Sequence, residues 1–423
     1  MAVAGGQELS RSRQVWYVPV CLSGGLLRWA PHCSTLDRKM TGSTENVRTQ
    51  FFEYDNPKRP LKLRVGPVLP RFTLAYEMYG KMNSDKSNVI LVYHAMTGSQ
   101  HAAGINPHVP GVNGRWTNEM KVGWWNDFIG PGKALDTRKF CVICANYLGG
   151  CYGSTGPASI NPATGRRWGP SFPVLRMIDI VNSQMLLLDW LGVKQLHAVV
   201  GASIGGFLCL LTATKYPDRV RIVVPIGSGV ETTVYQRILN FEQVTAIEAD
   251  PNFKGGDYYD GPRPDIGLAL ARRIAHKTFV SLDALKERAR DQVVSHKPPH
   301  GWYEMNHPIE SYMLHQGEKF VKRFDANTYL RIIDAWQWFD LVAEAGARGY
   351  LSLFARCRKQ EFLVFSIDSD LSFEPVEQAK LVQLLKRARV NVMWITVHSD
   401  KGHDSFLLEP KLFTPHLAQV LER

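Results

Sequence analysis

From about residue 50 onward, short and nearly unbroken apolar runs rich in β-branched residues alternate with amphipathic stretches. Asn88 to His94, Phe140 to Asn146, Leu196 to Gly201 and Val220 to Ile226 are such runs, and each predicts a strand. Between the second and third, apolar residues at 177, 181, 185 and 188 recur at helical spacing, and Gly192 closes the stretch as a residue suited to a left-handed helix cap. A strand with no polar side is buried on both faces, so the pattern predicts a parallel sheet covered by helices on each face, an α/β architecture. Residues from about 236 to 350 break the alternation with charge-rich helical segments such as Ile266 to His276 and Leu282 to Asp291. Strands then resume at Glu361 to Ile367 and Val390 to Val397, separated by a helix from Pro375 to about Ala388 and followed by a short helix near Pro415 to Arg423. The expected organisation is a discontinuous core, residues 49–235 and 351–423, with a helical cap, residues 236–350, inserted between its strands. Residues 1–48 hold few acids and several arginines with no clear periodicity, and read as an extension, either a transit peptide or an inert stretch upstream of Met40.

Composition narrows the classes. Among 423 residues, 45% are hydrophobic and 21% charged, which excludes collagen-like and mostly disordered chains and leaves a sizeable core. No stretch approaches about 18 uninterrupted apolar residues, so no spanning helix and no membrane partner are expected. The net charge of +11 is diffuse, without a run of five basic residues, which points away from nucleic acid and leaves an anionic small molecule as a partner. Seven cysteines, an odd number, suit a reducing compartment such as the cytoplasm, with organellar import through residues 1–48 left open. Cys141 and Cys144 form a C-x-x-C inside a predicted strand, where they face opposite sides and cannot share a metal. No other spacing of ligand type suggests a metal site.

The chemistry concentrates at three places. Gly201-Ala-Ser203-Ile-Gly205 lies between a predicted strand and a helical run beginning at Gly206, the context of a sharp turn that presents a serine hydroxyl at the sheet's carboxyl edge. A serine needs a base, and the base needs a partner that fixes its tautomer. Asp368 and Asp370 follow the strand ending at Ile367, and His403 follows the strand ending at Val397, so the order is serine, aspartate, histidine with all three on loops at one edge. A developing oxyanion would then meet the backbone N–H of Ile204 and one from the loop His94-Ala-Met-Thr-Gly98, with Met96 the candidate and Thr97 its neighbour.

Beyond these features, His94-Ala-Met-Thr-Gly-Ser99, Gly123-Trp-Trp125, Asn146 to Pro157, Gly201 to Gly206, Gln316 to Phe320, Arg323 to Asn327, Ile367 to Asp370 and Gly402 to Asp404 occur in order. Through them the chain, over roughly residues 50 to 423, resembles the homoserine O-acetyltransferase family of the α/β-hydrolase superfamily. The resemblance implies Ser203 as nucleophile, His403 as base and Asp370, the second aspartate of Asp-Ser-Asp, as its orienting carboxylate. It further implies Arg272 and Asp404 as the grips on the amino-acid substrate, an acyl-CoA co-substrate with no resident cofactor, and a homodimer through the cap. The expected reaction is ping-pong transfer of the acetyl group of acetyl-CoA to L-homoserine, serving methionine synthesis. L-serine, succinyl-CoA, or hydrolysis as an esterase or thioesterase stand as alternatives. Two positions depart from the family: Phe279 replaces a frequent tyrosine near the substrate hydroxyl, and Leu371-Ser372 replaces a segment that usually carries an arginine. The Trp124-Trp125 pair reads either as a water-excluding wall or as core filling.

Overall fold

The structure, a computed structural model, describes residues 46–290, 302, 305 and 307–423. The extension therefore lies outside the described residues up to position 45, as does Asp291 at the end of the predicted helix over 282–291.

Eight strands form one sheet: β1 Gln50–Asp55, β2 Arg71–Tyr79, β3 Val89–Tyr93, β4 Cys141–Ala145, β5 Leu196–Ala202, β6 Val220–Ile226, β7 Glu361–Ile367 and β8 Asn391–Val397. Their spatial order is β1-β2-β4-β3-β5-β6-β7-β8. The first two are antiparallel to their neighbours, and every pairing from β4 to β8 is parallel. Side chains on one face of the central strands, such as Leu91, Val199, Val223 and Val364, join one apolar cluster, and their neighbours Ile90, Val200, Val224 and Leu363 join a second beneath the opposite face. Full burial of each such residue contributes about 1.5–3 kcal/mol, and this is why the strands carry no polar alternation. Cys141 and Cys144 fall into different clusters, as residues three apart on a strand must.

The helices cover both faces. Helix α1 spans Met177–Trp190, with Gly192 at φ +72° just beyond its end, and α2 spans Ile204–Lys215. Between β6 and β7 lie α3 (Val234–Glu248), α4 (Asp265–Phe279), α5 (Leu282–Arg290), α6 (Pro308–Arg323) and α7 (Ala326–Gln337), followed by two single-turn helices. Helix α8, Pro375–Arg387, connects β7 to β8. The last helix, α9, runs from Pro410 to Leu421, so it starts five residues before the expected Pro415, which sits inside it. Trp125 is core filling: it is buried, stacks on Trp124 and Phe128, and donates its indole N–H to the Phe406 carbonyl.

Parallel pairing aligns the ends of the strands that matter. Ala202 pairs with Ile226, Ile226 with Phe365, and Ile367 with Val397, so the loops after β5, β6, β7 and β8 leave from one edge.

Candidate active site

Ser203 stands between β5 and α2 with φ +61° and ψ −132°, a conformation that an L-residue holds only when its surroundings impose it. They do so through close approach. A Cβ on Gly205 would lie 2.6 Å from the Tyr93 carbonyl oxygen, and one on Gly206 would lie 2.4 Å from Ser228. The Ser203 N–H donates to the Ile226 carbonyl at 3.0 Å, and the Ser203 carbonyl accepts from Gly206 at 2.9 Å, locking the turn at both peptides.

Beside this turn, His403 Nδ1 and Asp370 Oδ2 are 2.6 Å apart, both residues buried. The other Asp370 oxygen accepts the N–H groups of Ser372 and Phe373, each at 2.8 Å, so the carboxylate is aimed before any ligand arrives. Gly227 joins this pair to the serine turn: it follows Ile226 at φ +50°, and a Cβ there would sit 3.1 Å from Asp370 Oδ2 and 3.5 Å from His403 Cε1. Only a glycine leaves room for the two loops to converge. The contact with Asp370 fixes the proton on His403 Nδ1 and leaves Nε2 as a buried nitrogen with no hydrogen-bond partner among the described residues. Burial presses the imidazolium pKa down, but the charge and hydrogen bond of Asp370, with a contribution from Asp404, outweigh it, and His403 titrates above its usual value. Asp368 serves elsewhere, accepting from His398 at 2.8 Å and from the Ser399 N–H at 3.0 Å near the surface.

The backbone N–H groups of Ile204 and Met96 donate to no group among the described residues, and both residues are buried beside the serine turn, where the loop after β3 meets the start of α2. Two unused donors at a helix start and an adjoining loop are what a developing oxyanion needs.

Arg272 enters from α4. Its guanidinium lies over the Phe279 and Phe320 rings, 5.1 Å from each centroid, and makes no ion pair or hydrogen bond among the described residues. Burial and the neighbouring Arg323 charge lower its pKa, with Asp404 acting against them. Asp404, next to His403, is half-buried; burial lifts its pKa above the usual carboxylate value, against the pull of His403, Arg272 and Arg288. The Arg272 and Asp404 charges act on each other, yet no salt bridge joins them among the described residues. Phe279, where a tyrosine hydroxyl was missing from the pattern, supports Arg272 and lies 6.3 Å from the His403 ring. The nearby hydroxyl is that of Tyr312, paired with His276 Nε2 at 3.0 Å and reached by Arg288 at 3.4 Å.

Sequence reasoning gave no role to Arg288, Arg323 or Asn240, although Arg323 opens one of the blocks that carry the resemblance. The two arginines lie on charge-rich helices, where an arginine bound for the site reads like any solvated one. Asn240, on α3, is buried, and among the described residues neither of its amide atoms has a partner; it lines a cleft with Met96, Phe279, Ser372 and Trp336, whose indole N–H is likewise unpartnered among them. A lone asparagine on an amphipathic helix gives no advance signal of this.

Comparison with known proteins agrees with this fold. The α/β hydrolase fold family matches residues 88–410. A homoserine O-succinyltransferase of Aromatoleum aromaticum is 42% identical over 365 residues, 86% of this chain and 94% of the relative. A homoserine O-acetyltransferase of Mesorhizobium japonicum is 42% identical over 359 residues, 84% of this chain and 89% of the relative. Among solved structures, esterase E22 superposes with a TM-score of 0.76 at 27% identity, covering 89% of this chain and all of the other. The shared sequence runs through the serine turn, both partner loops and the helical stretch between β6 and β7, and the chain belongs to the homoserine O-acetyltransferase family of the α/β-hydrolase superfamily.

Proposed function

We propose that the protein moves the acetyl group of acetyl-CoA to the hydroxyl of L-homoserine through an acyl enzyme on Ser203. His403 Nε2 takes the Ser203 hydroxyl proton as the oxygen attacks the thioester carbonyl, and the oxyanion rests on the N–H groups of Met96 and Ile204. The C–S bond breaks, and His403 returns its proton to the departing thiolate. Homoserine then gives its hydroxyl proton to His403, attacks the acyl carbon and releases Ser203, which recovers the proton. Asp370 holds the imidazole tautomer and stabilises the imidazolium in both halves. No resident cofactor or metal enters this scheme.

The observation that carries the reading is the Arg272–Asp404 arrangement beside His403. A guanidinium with no ion-pair or hydrogen-bond partner among the described residues suits an α-carboxylate, and a half-buried carboxylate suits an α-ammonium, so a small zwitterion is held with its side chain toward the base. The unpartnered amide of Asn240 and indole of Trp336 offer further hydrogen bonds to a bound polar ligand. The likeness to an esterase supports a second reading, hydrolysis, in which water takes the acceptor's place. The exposed apolar residues Val234, Ile238 and Phe241 on α3, spaced four and three apart, support a homodimer through the helical region. The five described cysteines are all free, which suits the cytoplasm.

Incubation with acetyl-CoA alone, followed by mass spectrometry of the peptide containing Ser203, tests the covalent step. An acetyl group on Ser203 that is absent from Ser203→Ala is expected. An unmodified serine in a protein that still turns over would contradict the scheme.

A further inference from the structure

Arg323 ends α6, and nothing in the reaction as written uses it. Its Nη1 donates to the Thr97 carbonyl at 3.0 Å and to the Tyr152 hydroxyl at 3.1 Å, and touches Met120 Sδ at 4.0 Å. The Tyr152 hydroxyl in turn donates to the Arg323 carbonyl at 2.9 Å, closing the contact from both ends of the residue. The guanidinium also lies 5.1 Å from the centroid of Phe320, the ring that carries Arg272. Among the described residues Arg323 has no carboxylate partner, so its charge is directed at a carbonyl of the loop that carries Met96.

Among the described residues the loop's other hydrogen bonds lie at its start and within it, where the Ala95 carbonyl also meets His94 Nδ1 at 2.7 Å, while the Ser99 carbonyl, just beyond it, accepts from the Trp124 indole N–H at 2.9 Å. The Tyr147 hydroxyl donates to the His94 carbonyl, and the Gly98 N–H closes a turn onto the Ala95 carbonyl at 2.9 Å. The Thr97 carbonyl accepts no other hydrogen bond among the described residues. Arg323 itself stands on a firm base: the next-but-one residue, Asp325, is buried and accepts from Tyr258 at 2.9 Å, Tyr259 at 3.0 Å and the Thr328 N–H at 3.0 Å. A charge-assisted bond from a rigid turn to a loop peptide fixes that peptide's direction, and the Met96 N–H lies two peptide units upstream in the same short loop.

We infer that Arg323 is a positioning residue that holds the His94–Gly98 loop from the helical side, so that the Met96 N–H points where the oxyanion forms. The inference rests on the acyl-enzyme reading above. It makes the hole a joint product of the sheet edge and α6, with Tyr152 as the third point of the brace.

The test uses 4-nitrophenyl acetate, which acylates a serine without CoA or acceptor, and follows nitrophenolate release alongside the KM for homoserine in the full reaction. Arg323→Met is expected to slow acylation about tenfold to a hundredfold, the cost of a misplaced catalytic group, with the homoserine KM within about twofold of wild type. Arg323→Lys, which keeps one charged donor, recovers part of the rate, and Tyr152→Phe shows a smaller loss in the same direction. Acylation unchanged in Arg323→Met, or a raised homoserine KM with acylation unchanged, overturns the inference; the second outcome makes Arg323 a substrate grip. If Arg323→Met does not fold, wild-type acylation in both other variants overturns it equally. Failure of the wild-type protein to acylate at Ser203 removes the acyl-enzyme reading instead.

Discussion

At the scale of single residues, His403 is poised by opposing forces. Burial favours the neutral ring, and the carboxylates of Asp370 and Asp404 favour the charged one and win. The base must be neutral to accept a proton, so activity rises with pH through the His403 pKa, and the acid limb of the acylation half-reaction falls above the ordinary histidine value of 6.5. Asp404 acts twice, on this titration and on the substrate ammonium. Asp404→Asn removes the negative charge while keeping the shape, so the acid limb is expected to shift to lower pH. The homoserine KM should also rise about tenfold or more, the loss of a hydrogen bond between charged groups. A pH–rate profile of 4-nitrophenyl acetate hydrolysis with a homoserine titration measures both. An unmoved limb would show that Asp404 does not reach the base.

At the scale of elements, the serine turn depends on a strand and a helix approaching more closely than side chains permit. Gly205→Ala would place a Cβ 2.6 Å from the Tyr93 carbonyl, a contact that forces α2 away from β3. It is expected to cost about 2–4 kcal/mol of stability by thermal unfolding and to reduce acylation far more than an alanine elsewhere on α2. Much of this element-level design was legible in the chain. Buried strands such as Val220–Ile226 and Glu361–Ile367 announced themselves because burial on both faces favours apolar residues, and Ser203 and His403 followed from strand ends and loop order, which left Asp368 and Asp370 both open until the family resemblance pointed to Asp370. The strands Gln50–Asp55 and Arg71–Tyr79 were less visible, since they alternate charged or polar with apolar positions and sit toward an edge. Arg323 and Asn240 were not legible as site residues, because which face of a helix meets the site is decided by tertiary packing and not by local pattern.

At the scale of the whole molecule, two buried carboxyls outside the reaction scheme couple stability to pH. Glu344 accepts the Ile178 N–H at 2.7 Å and Glu377 meets Gln236 at 3.2 Å; burial pushes their pKa values up to about 7 and about 8 from 4.5. A carboxyl whose folded pKa is raised binds its proton more tightly in the native state. Its favourable contribution is therefore full below the unfolded value and is lost as pH rises through about 7 to 8. Wild-type stability should fall between pH 5.5 and pH 8.5, and the double variant Glu344→Gln and Glu377→Gln, permanently neutral, should reduce that fall by about 1–3 kcal/mol. Denaturant unfolding at the two pH values checks it; an equal fall in both proteins would assign the pH dependence to other groups.

Acyl transfer, and not hydrolysis, is the outcome of this site. It is tested most directly by thiol release from acetyl-CoA, with and without L-homoserine, with succinyl-CoA and L-serine as competing substrates. Sustained release that requires homoserine, and is not supported by L-serine, with an O-acyl-L-homoserine as product, is the result expected from the Arg272–Asp404 pair beside His403. Equal release in the absence of any acceptor would contradict the account and make the protein a hydrolase on a transferase scaffold.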